Sequence, residues 1–108
     1  MIGEYRGHYE YTKEMVEELV DAGVFGVYYC GFVDYRGYMN ALYIGSAVGG
    51  HGIRGRLLDH LRIEQWSDTT HFGFRACDTK ETTLKLEIEE IKKHKPKYNK
   101  KGLRYMTK

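Results

Sequence analysis

A chain of 108 residues with 42% hydrophobic and 14% aromatic residues holds one domain with enough apolar surface for a core, which excludes a multi-domain enzyme and a disordered chain. No window approaches the roughly 20 apolar residues that cross a bilayer, and Met1 to Gly7 lacks the charged-then-apolar order of a secretory leader, so no membrane role and a cytoplasmic location are expected. The net charge of +2 is unevenly spread: Lys92 to Lys108 hold eight Lys or Arg and no acid, leaving residues 1 to 91 at −6 and marking residues 92 to 108 as a basic arm suited to phosphate.

In chain order, Thr12 is placed to cap a helix over residues 13 to 22, where Met15, Val16, Leu19 and Val20 recur at helical spacing and Gly23 ends the run. Its outer face carries Glu14, Glu17, Glu18 and Asp21, so it turns away from nucleic acid and serves packing or a dimer contact. Residues 25 to 33 and 41 to 46 mix β-branched and aromatic side chains around Asp34-Tyr35-Arg36-Gly37, the pattern of an antiparallel hairpin. Whether Tyr28 and Tyr43 share a face depends on the register. A two-residue Tyr35-Arg36 loop puts them together, while a three-residue loop ending at Gly37 separates them unless a further bulge or a longer loop restores the register.

A glycine-rich stretch, Ser46 to Gly52, leads into a helix over about residues 53 to 62, with Ile53, Leu57 and Leu61 on its buried stripe and Arg56 and His60 one turn apart on its edge. Residues 63 to 70 read as a polar loop and His71 to Cys77 as a third strand. A last helix starts after Asp78 or Thr79, runs to about His94 and is stopped by Pro96. Leu84, Ile88 and Ile91 form its expected apolar stripe, and Glu87 lies about 60° from Leu84 on the wheel, whereas Glu89 points away. Cys30 and Cys77 have no partner at metal-ligand spacing and read as buried free thiols. The expected fold is an α/β (α+β) sandwich: a small, three-stranded, mainly antiparallel sheet flanked by the helices at 53–62 and 79–94, with the N-terminal helix outside.

Gly26-Val27-Tyr28, Tyr43-Ile44-Gly45, Arg56 and His60, Glu87, and Lys95-Pro96-Lys97-Tyr98-Asn99 follow one another in this order. The arrangement resembles the GIY-YIG nuclease family over residues 24 to 100. The resemblance implies an endonuclease, a hydrolase of phosphodiester bonds, that depends on Mg2+ or Mn2+ and has DNA as its partner. Nothing in these residues tells deoxyribose from ribose. In this reading Glu87 binds the metal, Arg56 grips the scissile phosphate and Tyr28 positions water or phosphate. Tyr43 or His60 serves as general base, Asn99 orients the site, and Gly26 and Gly45 are structural. His51, Lys95, Lys97, Lys100 and Lys101 are candidate nucleic-acid contacts, and target choice falls to a partner protein or a homodimer. The loop from Val48 to Gly52 departs from the family pattern, with added glycines and no lysine to act as base.

The chemistry agrees with the residue types. Hydrolysis of a phosphodiester needs an activated water, charge neutralisation at phosphorus and help for the leaving oxygen. A carboxylate suits a hard cation, an arginine fork suits phosphate, and histidine titrates nearest neutrality. Singly, each residue has a plainer role: with ten tyrosines in the chain, any one is more often packing than catalytic. Two rivals remain at this level. One is a non-catalytic nucleic-acid-binding module of the same fold, against which Tyr43, Arg56 and Glu87 argue; the other is a protein-interaction domain using the acidic N-terminal helix.

Overall fold

The most apolar run in the chain becomes an inner strand of the sheet. In the computed structural model, which describes residues 2–63 and 66–99, this strand is β2 (Gly26–Val33), and every residue from Gly26 to Gly31 is buried. The chain-order elements are β1 (Arg6–Glu10), α1 (Lys13–Leu19), β2, β3 (Met39–Ala47), α2 (Gly52–Ile63), β4 (His71–Ala76) and α3 (Lys80–His94), with a 3-10 turn over Lys97–Asn99. The strands form one antiparallel sheet in the order β1-β4-β2-β3. Among the described residues the protein is thus a small α+β domain with a four-stranded sheet and three α-helices, none long and apolar enough to cross a membrane.

The sheet has four strands where the sequence indicated three. The added strand is β1, which pairs with β4 at an edge. Its residues Arg6-Gly7-His8-Tyr9-Glu10 are exposed except for half-buried Tyr9. Such a strand needs only backbone pairing, and its charged side chains suit a protected edge.

Because strand side chains alternate, the two faces carry separate cores. Tyr28, Cys30, Ala47, Phe72 and Phe74 pack beneath α1 and α2, through Val16, Val20, Ile53 and Leu57. Val27, Tyr29, Ile44 and Cys77 pack beneath α3, through Leu86 and Ile91. Helix α1 is shorter than expected, and Val16 and Val20 sit in the main core, so α1 is part of the layer that covers Tyr28 and not an outer addition. Both cysteines are free and buried, and burial pushes the Cys30 thiol up to about 12, which leaves it unreactive.

Helix α3 begins at the Thr79 cap, whose hydroxyl accepts from the Thr82 amide at 3.1 Å, and ends at left-handed Lys95 before Pro96. Its buried stripe is Thr83, Leu86 and Ile91, while Leu84 and Ile88, expected inside, are exposed. Polar groups with partners of their own occupy the inward face: the Thr83 hydroxyl donates to the Thr79 carbonyl at 2.8 Å, and Glu90 accepts from the Tyr29 hydroxyl at 2.6 Å. These bonds satisfy the polar groups and rotate the true stripe away from the apolar pattern.

The hairpin register combines both devices that the sequence left open. Gly37 takes φ 85° and closes a three-residue loop in which the Asp34 carboxylate accepts from the Asn40 side chain and from the Arg36 and Tyr38 amides. Those bonds, Asn40 first, hold the Asp34 carboxyl well below the usual carboxylate range. Val33 pairs with Met39 and Gly31 with Ala41, but Cys30 pairs with Tyr43, which leaves Leu42 as a bulge. Gly31 permits this, because a Cβ there would run into the Asn40 carbonyl. Gly31→Ala is therefore expected to destabilise the domain by about 3 kcal/mol or more, read as a lower urea midpoint.

Candidate active site

Three strands and helices meet around the outer edge of β3, and a fourth reaches it from the opposite layer. The Leu42 bulge places Tyr43 on the same face as Tyr28, since Tyr28 pairs with Gly45 and Cys30 with Tyr43. Tyr28 is fully buried, and its hydroxyl lies 3.0 Å from His60 Nε2 on α2. The Arg56 guanidinium, one turn earlier on α2, lies against the same hydroxyl. Tyr43 meets His60 edge-on, with ring centres 5.4 Å apart, and Tyr28 at 6.1 Å. His60 thus has its hydrogen bond with Tyr28, and its contact with Tyr43 is through the rings.

Gly45 makes this arrangement possible. A Cβ at Gly45 would lie 2.5 Å from the Tyr28 ring and hydroxyl and 2.8 Å from the Tyr43 ring, so both phenols occupy the space a side chain would fill. Gly26 has a related role further along β2, where a Cβ would press on Ile53 at the start of α2. Asn99 is buried on the outer edge of β3. Its Oδ1 accepts from the Ile44 amide and its Nδ2 donates to the Ile44 carbonyl, both at 2.8 Å. It supplies the pairing that a fifth strand would give and fixes the backbone between Tyr43 and Gly45.

Glu87 comes from α3, under the other face. It is half-buried beside Ser46 and feels the charge of Arg56. Burial raises its pKa, and Ser46 and Arg56 partly offset this. Burial also raises Tyr43; the Tyr28 hydroxyl and Arg56 pull its pKa down, while the Glu87 charge adds to the rise. Tyr28 is pushed far above the ordinary phenol range by burial and by Tyr43, with Arg56 opposing. Both phenols are therefore neutral at physiological pH and act as hydrogen-bonding groups.

A ring stack completes the site, and the sequence did not single it out. Trp66 stacks on Tyr43 at 4.6 Å and 26°, contacts His60 at 4.6 Å, and stacks on Tyr98 at 5.7 Å and 20°. The Tyr98 hydroxyl donates to Asp68 at 2.8 Å, with Lys97 3.6 Å from the same carboxylate. The one available signal was that the only tryptophan of the chain falls in an otherwise polar loop. Ser46, a small residue inside a strand, gave no signal at all.

Among the other candidates, His51 is exposed just before α2, where its carbonyl accepts from the Gly55 amide at 3.1 Å. Lys95 and Lys97 are exposed on the turn that carries Asn99, and Lys100 and Lys101 lie outside the described residues. Among the described residues no three His, Cys, Asp or Glu side chains form a metal-holding group. Glu87 with Ser46 is a hard oxygen set of low denticity. That set fits Mg2+, which keeps several waters and commonly takes only one or two carboxylates.

A scan against protein-family models and a search of curated proteins each find no match to this chain.

Gly45→Ala is predicted to drive the Tyr28 ring from its place, lowering stability by about 1–3 kcal/mol. It should also break the Tyr28–His60 hydrogen bond, read as loss of the ordered His60 imidazole resonance by NMR.

Proposed function

We propose that the protein is a divalent-metal-dependent endonuclease of the GIY-YIG kind, hydrolysing phosphodiester bonds in DNA. The observation that carries this reading is convergence. Residues selected from separate stretches of sequence, Tyr28, Tyr43, Arg56, His60 and Glu87, gather around Gly45 at one strand edge. Two cavities of about 350 and 440 Å3 elsewhere on the domain involve none of these residues.

In this mechanism Arg56 grips a non-bridging oxygen of the scissile phosphate and neutralises charge as it builds at phosphorus. A water attacks phosphorus as the bond to the leaving oxygen breaks. Its proton is taken by Tyr43 or His60, both half-buried, while the fully buried Tyr28 orients His60 through its hydrogen bond. Tyr43, held by Trp66, hydrogen-bonds the attacking water and keeps it in line. Solvent protonates the leaving alkoxide. Glu87, with Ser46 beside it, would hold Mg2+ or Mn2+, which when bound supplies Lewis-acid stabilisation of the phosphate and leaving oxygen. Free buried thiols at Cys30 and Cys77 accord with a reducing, cytoplasmic setting.

The test is cleavage of supercoiled plasmid and of branched DNA with Mg2+ or Mn2+, wild type against Glu87→Gln. The expected loss is at least about 100-fold. A folded wild type that binds these DNAs and cuts none would replace this reading with the non-catalytic binding module. The raised pKa of Glu87 also sets a pH dependence with a definite sign. The native state disfavours the ionised acid, so the penalty is absent below the unfolded value and grows as pH rises through the folded one. Without metal, Glu87→Gln should melt higher than wild type at pH 7, and the difference should vanish below about pH 4. Wild-type cleavage should rise with pH above the ordinary carboxylate range.

A further inference from the structure

Tyr29 follows Tyr28 in β2 and so points through the opposite face of the sheet, into a cavity of about 350 Å3 that the chemistry above does not use. Its hydroxyl donates to Glu90 Oε1 at 2.6 Å. The Glu90 side chain is only 13% exposed, and His94 Nε2 approaches the same oxygen at 3.8 Å. Among the described residues nothing hydrogen-bonds Glu90 Oε2, and this oxygen is not sealed in the interior. A nearly buried carboxylate therefore offers one acceptor to the cavity.

The walls are partly aromatic: Tyr5 and His94 are exposed, while Tyr29 is buried. Tyr5 meets Tyr29 at 5.3 Å and 75°, and His94 meets Tyr29 at 6.4 Å and 87°. Tyr5 and His94 thus leave ring surface for a flat guest, whereas in the Tyr43–Trp66–Tyr98 stack the faces cover one another. Tyr5 is held in place by its hydroxyl, 2.9 Å from His8 Nδ1, and by the lack of a side chain on Gly73 beneath it. Two cations complete the lining. Arg75 is tethered by Nε to the Gly3 carbonyl at 3.0 Å and lies against the Tyr29 hydroxyl, and Lys93 stands exposed at the rim.

A guest matching this lining has a flat ring, a hydrogen-bond donor for Glu90 and an anionic group for Arg75 and Lys93. We propose that the cavity binds a nucleoside monophosphate, its base against the Tyr5 and His94 rings, a sugar hydroxyl or base amino group on Glu90, and its phosphate on Arg75 and Lys93. The volume lies at the lower end of the range of small-molecule sites. Inorganic phosphate would meet the Glu90 charge and leave the rings bare, a nucleoside would leave the cations unused, and an organic cation would be repelled by Arg75 and Lys93. The proposal is independent of phosphodiester cleavage.

The experiment is a titration of the 15N-labelled full chain with adenosine 5′-monophosphate, adenosine and sodium phosphate in turn. The nucleotide is expected to bind saturably and shift the amides of Tyr5, Tyr29, Lys93 and His94, leaving Tyr43, Arg56 and His60 in place. Adenosine and phosphate should each bind at least about tenfold more weakly, and Lys93→Glu, an exposed substitution, should weaken the nucleotide by about tenfold. A 5′-phosphorylated dinucleotide separates the two sources: equal binding identifies the end of a strand, weaker binding a free nucleotide. The proposal is overturned if a folded chain shows no saturable shift into the millimolar range. It is equally overturned if phosphate alone shifts the same amides as strongly, or if the nucleotide shifts Tyr43, Arg56 and His60 instead.

Discussion

One extra residue in β3 decides which side chains meet at the edge of the sheet. Up to Gly31 and Ala41 the hairpin follows the register of its three-residue loop, and continuing it would set Tyr43 opposite Tyr29, under α3. The bulge at Leu42 turns Tyr43 to the side of Tyr28, Arg56 and His60, and Gly31 yields the space the bulge needs. The remaining geometry follows from that shift. Gly45 falls opposite Tyr28 and gives room to both phenols, and Ile44 falls at the outer edge, where Asn99 binds its amide and carbonyl.

The position of β3 at the end of the sheet matters as much as its register. Inside a sheet, groups on opposite faces are kept apart by the neighbouring strands. At an edge they reach around. Ser46 and Glu87 belong to the α3 side, and Arg56, His60 and Tyr43 to the α2 side, yet Glu87 and Arg56 are close enough for each charge to matter to the other's surroundings. In the proposed function this acid, drawn into a partly dry edge, holds the hard cation, and the arginine beside a neutral phenol takes the phosphate. Strand alternation then gives the two faces of β2 separate uses, with Tyr28 in the proposed catalytic group and Tyr29 at the wall of the proposed nucleotide cavity.

Much of this was legible in the sequence because the signals were local. Thr12 as a cap, a helix start at Asp78 or Thr79, of which Thr79 is the cap, the stop at Pro96, the Ile53–Leu57 stripe and the adjacency of Arg56 and His60 all depend on short-range chemistry, and each is found in the structure. What escaped depends on tertiary context. β1 has the composition of a loop because an edge strand can take its stability from backbone pairing alone. The α3 stripe was displaced because Thr83 and Glu90, polar by type, turn inward onto partners that no pattern of apolar residues reveals. The hairpin register was open because Gly37 and the Leu42 bulge act in opposite directions, and only the packed structure fixes their sum. Trp66 was passed over because its partners, Tyr43 and Tyr98, are distant in sequence.

In the proposed function, groups from both faces of the sheet converge at the β3 edge to hold one metal ion through Glu87. Paramagnetic broadening of the 15N-labelled chain by substoichiometric Mn2+ locates that ion. Selective loss of the amide signals of Tyr43, Ser46, Arg56 and Glu87, abolished by Glu87→Gln, is expected. Broadening that centres elsewhere, such as on the acids of α1, or that persists unchanged in Glu87→Gln, would contradict it.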